Sequence, residues 1–520
     1  MDQVIQLGQM AIGYINSGNF AAAEKILKGI LKSRPKEFNA LNLCGYVLVM
    51  QSRELEALEY FKKAYSQNSR DVGLLHNYGK TCIALEMHEQ VIRLYSELMN
   101  IVGINEELLI EVGRAYFGIS KFEDAIKAYD LTLTSFPQSK LAYINKTATL
   151  IEIGQASAAL EIGAEALNMY PSDPFVLSNY GSALFDVGRY KEAASHFQNA
   201  IKINPHASIY WMNAGNALTK LREFDEGRIF YERAIEIDPF NYEAFYNLGV
   251  SFDKQKKHDE AIEAYKKAIS LKQDYAQAIW NLAQSQMCLG DYQPAWVNAE
   301  SRWLLKKSDQ KRHQAIPPLI KVGEANRASV LVWHEQGLGD TIQFSRYLKP
   351  LKNLGYDITF EVQSSLFRLM EASINDARVI ESSHSQLDEK SFDYQIPLMS
   401  LPSLFDIPIT GNSYLKIPTN ESNKFNHYIN RFPKNQKRVG IVCSGNAMHV
   451  NDLNRSISLK LFKSLLGQIK PILLQKDIRR EDLETAQEFE LIKLGDDIDD
   501  FADTAALISQ LDLVISVDTS

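Results

Sequence analysis

Along the first three hundred residues, apolar side chains recur every three or four positions in blocks of about a dozen, separated by short polar turns. That is the period of amphipathic helices. The blocks fall on a 34-residue frame that starts at residue 4 and runs through nine frames to about 309 without insertion. Small residues occupy column eight (Ala11, Gly45, Gly79, Gly113, Thr147, Gly181, Gly215, Gly249, Ala283) and most of column twenty. Column twenty-four is mostly large: Leu27, Phe61, Tyr95, Tyr129, Phe197, Tyr231, Tyr265. Proline recurs in column thirty-two, at Pro35, Pro137, Pro171, Pro205 and Pro239. Small residues let paired helices cross closely, the large one fills the space beside them, and proline ends the second helix. The pattern predicts an α-solenoid over residues 4–309, with a concave inner face.

From Ser329 the period changes. Short apolar runs at 330–333, 358–362, 439–443, 471–474 and 513–517 alternate with helical segments. Strands of this length separated by helices imply parallel sheets with right-handed crossovers. A polar linker with a proline pair spans 310–328, a first Rossmann-like domain 329–418 and part of a second 419–520. A helix over 420–432 should bridge the two.

Column six of the frame holds Asn77, Asn145, Asn179, Asn213, Asn247 and Asn281, interrupted by Gln9, Leu43 and Glu111. A row of amides, each with a donor and an acceptor, can pair with the backbone of an extended peptide. The same amides can instead satisfy local backbone groups. In the second half, the run LVWHEQGLGDTIQF (331–344) joins a strand to a glycine turn and a helix start. It is no dinucleotide fingerprint, since the third glycine position falls on Ile342, and no phosphate loop, since no lysine follows the second glycine. Gly337 and Gly339 permit close backbone approach. Asp340 is either a helix cap or a carboxylate facing a cleft.

The net charge of -8 argues against nucleic acid or an anionic membrane as main partner. Four cysteines without a CxxC pair fit a reducing compartment. The first ten residues lack a signal-peptide pattern, and no apolar run is long enough to span a bilayer. A soluble, cytoplasmic protein without a metal site is expected. The run Asp496, Asp497, Asp499, Asp500 reads as solvated charge and a helix cap.

The 34-residue frame resembles the tetratricopeptide repeat, and its asparagine column resembles that in the superhelix of O-GlcNAc transferases. The segments EQGLGDTIQFSRYL, GNAMHVNDLNRS, DDFADTAAL and LVISVDT occur in this order. Together they resemble bacterial proteins that fuse a tetratricopeptide solenoid to a heptosyltransferase-like glycosyltransferase domain. The resemblance implies a GT-B architecture, two Rossmann-like domains with a nucleotide-sugar on the second, and no metal or other cofactor. It implies Asp340 as general base and a protein, peptide or glycan acceptor recruited by the solenoid. Arg455, Ser456 and Lys476 are then candidates for the diphosphate leaving group, or else surface salt-bridging residues. Asp518 and Thr519 match the turn that contacts the nucleotide-sugar. The family continues past that turn into a His-bearing helix, so the second domain is expected to be incomplete at Ser520 and the activity of this chain impaired. A peptide-binding scaffold with an inactive transferase domain is the alternative.

Overall fold

The computed structural model describes residues 3–305, 312–323, 327–335, 337–382, 387–405, 413–418, 423–430, 432, 437–445, 452–469, 471–475, 478–494 and 497–517. The chain divides into two compact units, Met1–Asp274 and Tyr275–Ser520. No helix among the described residues is long and apolar enough to cross a membrane.

The first unit is sixteen α-helices in antiparallel pairs, from Gln3–Asn16 and Phe20–Ser33 to Tyr242–Lys254 and His258–Leu271. Its helix pairs follow the 34-residue frame. The column-eight glycine of one helix is covered by the column-twenty-four ring of the next. A Cβ built on Gly45, Gly113, Gly181, Gly215 or Gly249 would stand 2.4–2.8 Å from the ring of Phe61, Tyr129, Phe197, Tyr231 or Tyr265. At Gly79 the gap to Tyr95 Cε1 is only 2.0 Å. In the fifth repeat the sizes are exchanged, with Thr147 in column eight and Gly163 in column twenty-four. Second helices end two residues before each column-thirty-two proline, because the residue preceding proline avoids the α region.

The turn inside each pair was not foreseen from sequence. Its column-fifteen residue is left-handed in all eight repeats of this unit: Gly18, Ser52, Glu86, Ser120, Gly154, Gly188, Arg222 and Lys256, with φ between 54° and 81°. Only three of these are glycine, the residue for which that conformation costs least.

The second unit begins with the ninth helix pair, Ala276–Leu289 and Tyr292–Ala299. The second compact unit therefore begins at Tyr275 and includes the ninth helix pair. Ala283, Trp296 and Ala299 share one apolar core with Val330, Val332 and Phe360 of the first sheet, and Trp296 meets Phe344 edge-on at 5.4 Å. That sheet is parallel, with β1 (Ser329–Trp333), β2 (Asp357–Val362), β3 (Arg378–Glu381) and β4 (Tyr394–Pro397) in the order β3-β2-β1-β4. The second contains β5 (Val439–Val442), β6 (Ile472–Leu473), β7 (Ile492–Lys493) and β8 (Leu513–Ser516), in the corresponding order β7-β6-β5-β8. β3, β4 and β7 are short or polar and carried no strand signal. β8 is an edge strand among the described residues, with Leu513 half exposed.

The linker is not a free tether. Leu319 N–H donates to Gln395 O at 2.8 Å, Gln395 N–H donates to Pro317 O at 2.9 Å, and the segment runs parallel to β4. Of the helix expected over 420–432, the described residues show Asn426–Ile429, whose neighbour Phe425 is fully buried in the second lobe's core. The DFADTAAL segment forms the helix Phe501–Ile508, with Asp500 capping it through Ala502 N–H at 2.8 Å. Its Ala502 enters the first sheet's core, while Asp503 is fully buried against Lys424 Nζ at 2.6 Å and Arg368 at 3.6 Å. Burial raises the Asp503 pKa, but Lys424 and the Asp499 N–H outweigh it and hold the carboxyl below its ordinary range.

Candidate functional sites

All six column-six asparagines are half-buried. They do not act alike. Asn179 donates to Ile144 O of the preceding repeat at 2.9 Å, a local backbone role. Asn145 Nδ2 is buried without a partner among the described residues. Asn281 makes further contacts, whereas the side chains of Asn77, Asn213 and Asn247 make no hydrogen bond among the described residues. Three amides therefore retain a donor and an acceptor for a guest backbone.

In the second unit, the strand–turn–helix of 331–344 forms as the sequence predicts. β1 delivers His334 and Glu335 to its carboxyl edge, and the helix Leu338–Phe344 starts beyond Gly337. Asp340 Oδ2 accepts the Gly337 N–H at 3.1 Å, so it does cap the turn. Its pKa is nevertheless raised. Burial is the main cause and Glu335 adds to it, opposed by the Gly337 hydrogen bond and by Arg455. Gly337 is exposed and Gly339 half-buried. Thr341 is buried and donates to Gln363 Oε1 at 3.0 Å.

Glu335, the first residue of EQGLGD, is held by a residue the sequence did not flag. Its buried carboxylate takes Arg302 Nε and Nη2 at 2.9 and 2.8 Å, a bidentate pair. Arg302, only 3 % exposed, also donates to Ser400 Oγ, Glu300 Oε1 and Ala299 O. Beside it, the start of the linker closes over the ends of β1 and β2. His313 sets its two ring nitrogens against Glu361 Oε2 at 2.7 Å and Glu389 Oε1 at 3.0 Å. Both nitrogens face carboxylates, so both must donate, which requires the imidazolium. Burial opposes that charge, but the two carboxylates outweigh it and the His313 pKa is raised. Burial likewise opposes charge on Glu361, yet His313 and Arg312 keep it low. Burial, aided by Arg312, pushes His334 down to about 4.

At the carboxyl edge of the second sheet, Ser456 donates to Asp452 Oδ1 at 2.7 Å and accepts from Gly445 N–H at 3.2 Å. Arg479, another residue without a sequence signal, donates to Asp452 at 2.7 Å and to Ser456 Oγ at 3.0 Å. Arg455 sits in the same short helix, Asp452–Arg455, and its positive charge acts to lower the Asp340 pKa. Cys443 is buried, and that burial pushes its thiol up to about 12. Lys476, Asp518 and Thr519 lie outside the described residues.

Two helical segments, 9–72 and 181–242, match one family model for the tetratricopeptide repeat, and 242–275 matches a second. These segments are tetratricopeptide repeats. The intervening helix pairs keep the same frame, so the N-terminal helices form a solenoid of tetratricopeptide type. Among solved structures, a tetratricopeptide repeat protein from Parabacteroides merdae is 16% identical, covering 48% of this chain and all of its own, with a TM-score of 0.39. YrrB, described as a repeat protein with an unusual peptide-binding site, is 20% identical over 36% of this chain and 95% of its own, with a TM-score of 0.29. MamA is 22% identical over 30% of this chain and 92% of its own, with a TM-score of 0.28. No curated protein matches the chain at a significant level.

Proposed function

We propose that the second unit is a GT-B glycosyltransferase that moves a sugar from a nucleotide-sugar to an acceptor, and that the tetratricopeptide repeats recruit that acceptor as a protein or peptide in the cytoplasm. The observation that carries the reading is that Asp340 follows β1, and Arg455 and Ser456 follow β5, each at the carboxyl side of the first strand of a parallel sheet. Ligands of open parallel sheets bind at those edges. Asp340 has the raised pKa of a carboxylate suited to take a proton. In this reading it deprotonates the acceptor hydroxyl as that oxygen attacks the anomeric carbon, while the glycines at 337 and 339 allow close approach. The departing diphosphate gains negative charge, which Arg455, Ser456 and Lys476 offset, and Asp518 and Thr519 contact the nucleotide-sugar. The nucleotide-sugar is a co-substrate, and the reading invokes no resident cofactor.

The test is calorimetric titration with nucleoside diphosphates and their sugars, followed by transfer assays on Asp340→Asn. The variant should bind donor nearly normally and lose transfer by about a hundredfold or more. Unchanged transfer would reduce Asp340 to a cap. A non-catalytic peptide scaffold is the second reading, and the unpaired amides of Asn77, Asn213 and Asn247 favour it. Peptide binding without any nucleotide binding would select it.

A further inference from the structure

The order β7-β6-β5-β8 changes direction between β5 and β8. Ligands of open parallel sheets bind at such a reversal, beyond the carboxyl ends of the strands. The segment that leaves β5 there carries the helix Asp452–Arg455, and Arg455 is half-buried on it. A single helical turn does not hold its shape alone in water, so the aim of the Arg455 side chain depends on what ties the turn down.

Both ends of the turn are fastened. Ile457 N–H donates to Cys443 O at 2.8 Å, which binds the exit to the end of β5. Arg479 reaches in from another part of the sheet, since it lies beyond β6 and immediately precedes the helix Arg480–Glu488. Its Nη2 is 2.7 Å from both carboxylate oxygens of Asp452, 3.0 Å from Ser456 Oγ and 3.3 Å from Gly445 O. One nitrogen thus grips the residue that opens the turn, the residue that follows it and a glycine three positions past β5. The Arg479 and Asp452 side chains are only 22 % and 12 % exposed, so water competes little with the pair.

We propose that Arg479 is a positioning residue, which fixes the turn Asp452–Arg455 so that Arg455 meets the diphosphate of the nucleotide-sugar. The proposal rests on the transferase reading. A guanidinium already aimed at its phosphate spares the complex the cost of ordering the turn on binding. Without Arg479 that ordering falls to the ligand, and affinity drops although Arg455 is intact.

The experiment is a double-mutant cycle, read by calorimetry on the full chain with uridine, adenosine, guanosine and cytidine diphosphates as probes. At least one of them should bind the parent chain. Arg455→Met should weaken that binding by about tenfold or more, the worth of a charge-assisted hydrogen bond. Arg479→Met should weaken it by about fivefold, and by less than about twofold once Arg455 is replaced by methionine. Arg479→Lys should stay within about twofold of the parent, because a single nitrogen makes the contacts. An Arg479 that only supports the fold, or that touches the diphosphate itself, would keep its full effect in the Arg455→Met chain. That result, an affinity unaltered by either single substitution, or no recovery with lysine would overturn this proposal alone. Failure of all four diphosphates to bind the parent chain would remove the transferase reading, and the proposal with it.

Discussion

Replacing Gly79 by alanine puts the packing rule of the repeats to a quantitative test. The added Cβ would stand 2.0 Å from Tyr95 Cε1, 2.7 Å from Cδ1 and 2.8 Å from Cζ. Tyr95 is 1 % exposed, so its ring has little room to retreat. Overpacking of this kind costs about 1–3 kcal/mol, and the contact is the shortest of the six glycine–ring pairs, which places it at the upper end. Alanine is the better helix former by about 1 kcal/mol, which leaves a net loss of about 2 kcal/mol. Hydrogen exchange in the helices Val72–Ala84 and His88–Val102 measures it locally, without requiring a two-state transition of the whole array. Repeat one shows the compensating choice, since Ala11 there is matched by Leu27 in column twenty-four. Gly79→Ala combined with Tyr95→Leu should therefore be less destabilising than the sum of the single changes, by about 1 kcal/mol or more. A neutral Gly79→Ala, or strict additivity in the double variant, would refute the reasoning.

Arg302→Met should destabilise the second unit by about 3–5 kcal/mol, because it strands the buried Glu335 charge; Arg302→Met with Glu335→Met should recover most of that loss in urea melts. Below the ordinary histidine value of about 6.5, the His313 clasp is fully present, and it is lost as pH rises through the raised folded pKa. His313→Gln should accordingly lose about 1 kcal/mol relative to the parent near pH 6 and almost nothing near pH 9, as measured by thermal melts across that range. Glu361 works at the other end, contributing above the ordinary carboxylate value of about 4.3 and failing as pH falls through its depressed folded pKa. Arg222→Gly and Lys256→Gly each relieve a left-handed residue, at φ 65° and 61°, and should stabilise by about 0.5–1 kcal/mol additively.

What was legible followed from side-chain volume at fixed spacing. Columns eight, twenty-four and thirty-two announced the helix pairs because each residue's size matches a partner in the same repeat. The column-fifteen turn was silent. Its geometry is imposed by closing one helix onto the next, and Ser52, Glu86, Ser120, Arg222 and Lys256 adopt it without being glycine. The strand before GLGD was readable from its β-branched run, and Asp340 from the turn it begins. Arg302 was not, because its partner Glu335 is 33 residues away with no periodicity to connect them. Arg479 and the His313 pair were hidden for the same reason. Such contacts are decided by the tertiary path, and a polar residue in a linker looks alike whether it is solvated or clamped.

The linker that runs beside β4 has a consequence for solubility. A bare edge strand offers its unpaired N–H and C=O groups to any strand that drifts past, which is how sheets join edge to edge into aggregates. β4 would be such an edge, but the segment lying on it contains Pro317 and Pro318, neither of which has an N–H to offer. The sheet is thus extended by a strip that cannot template another strand, and growth in that direction stops.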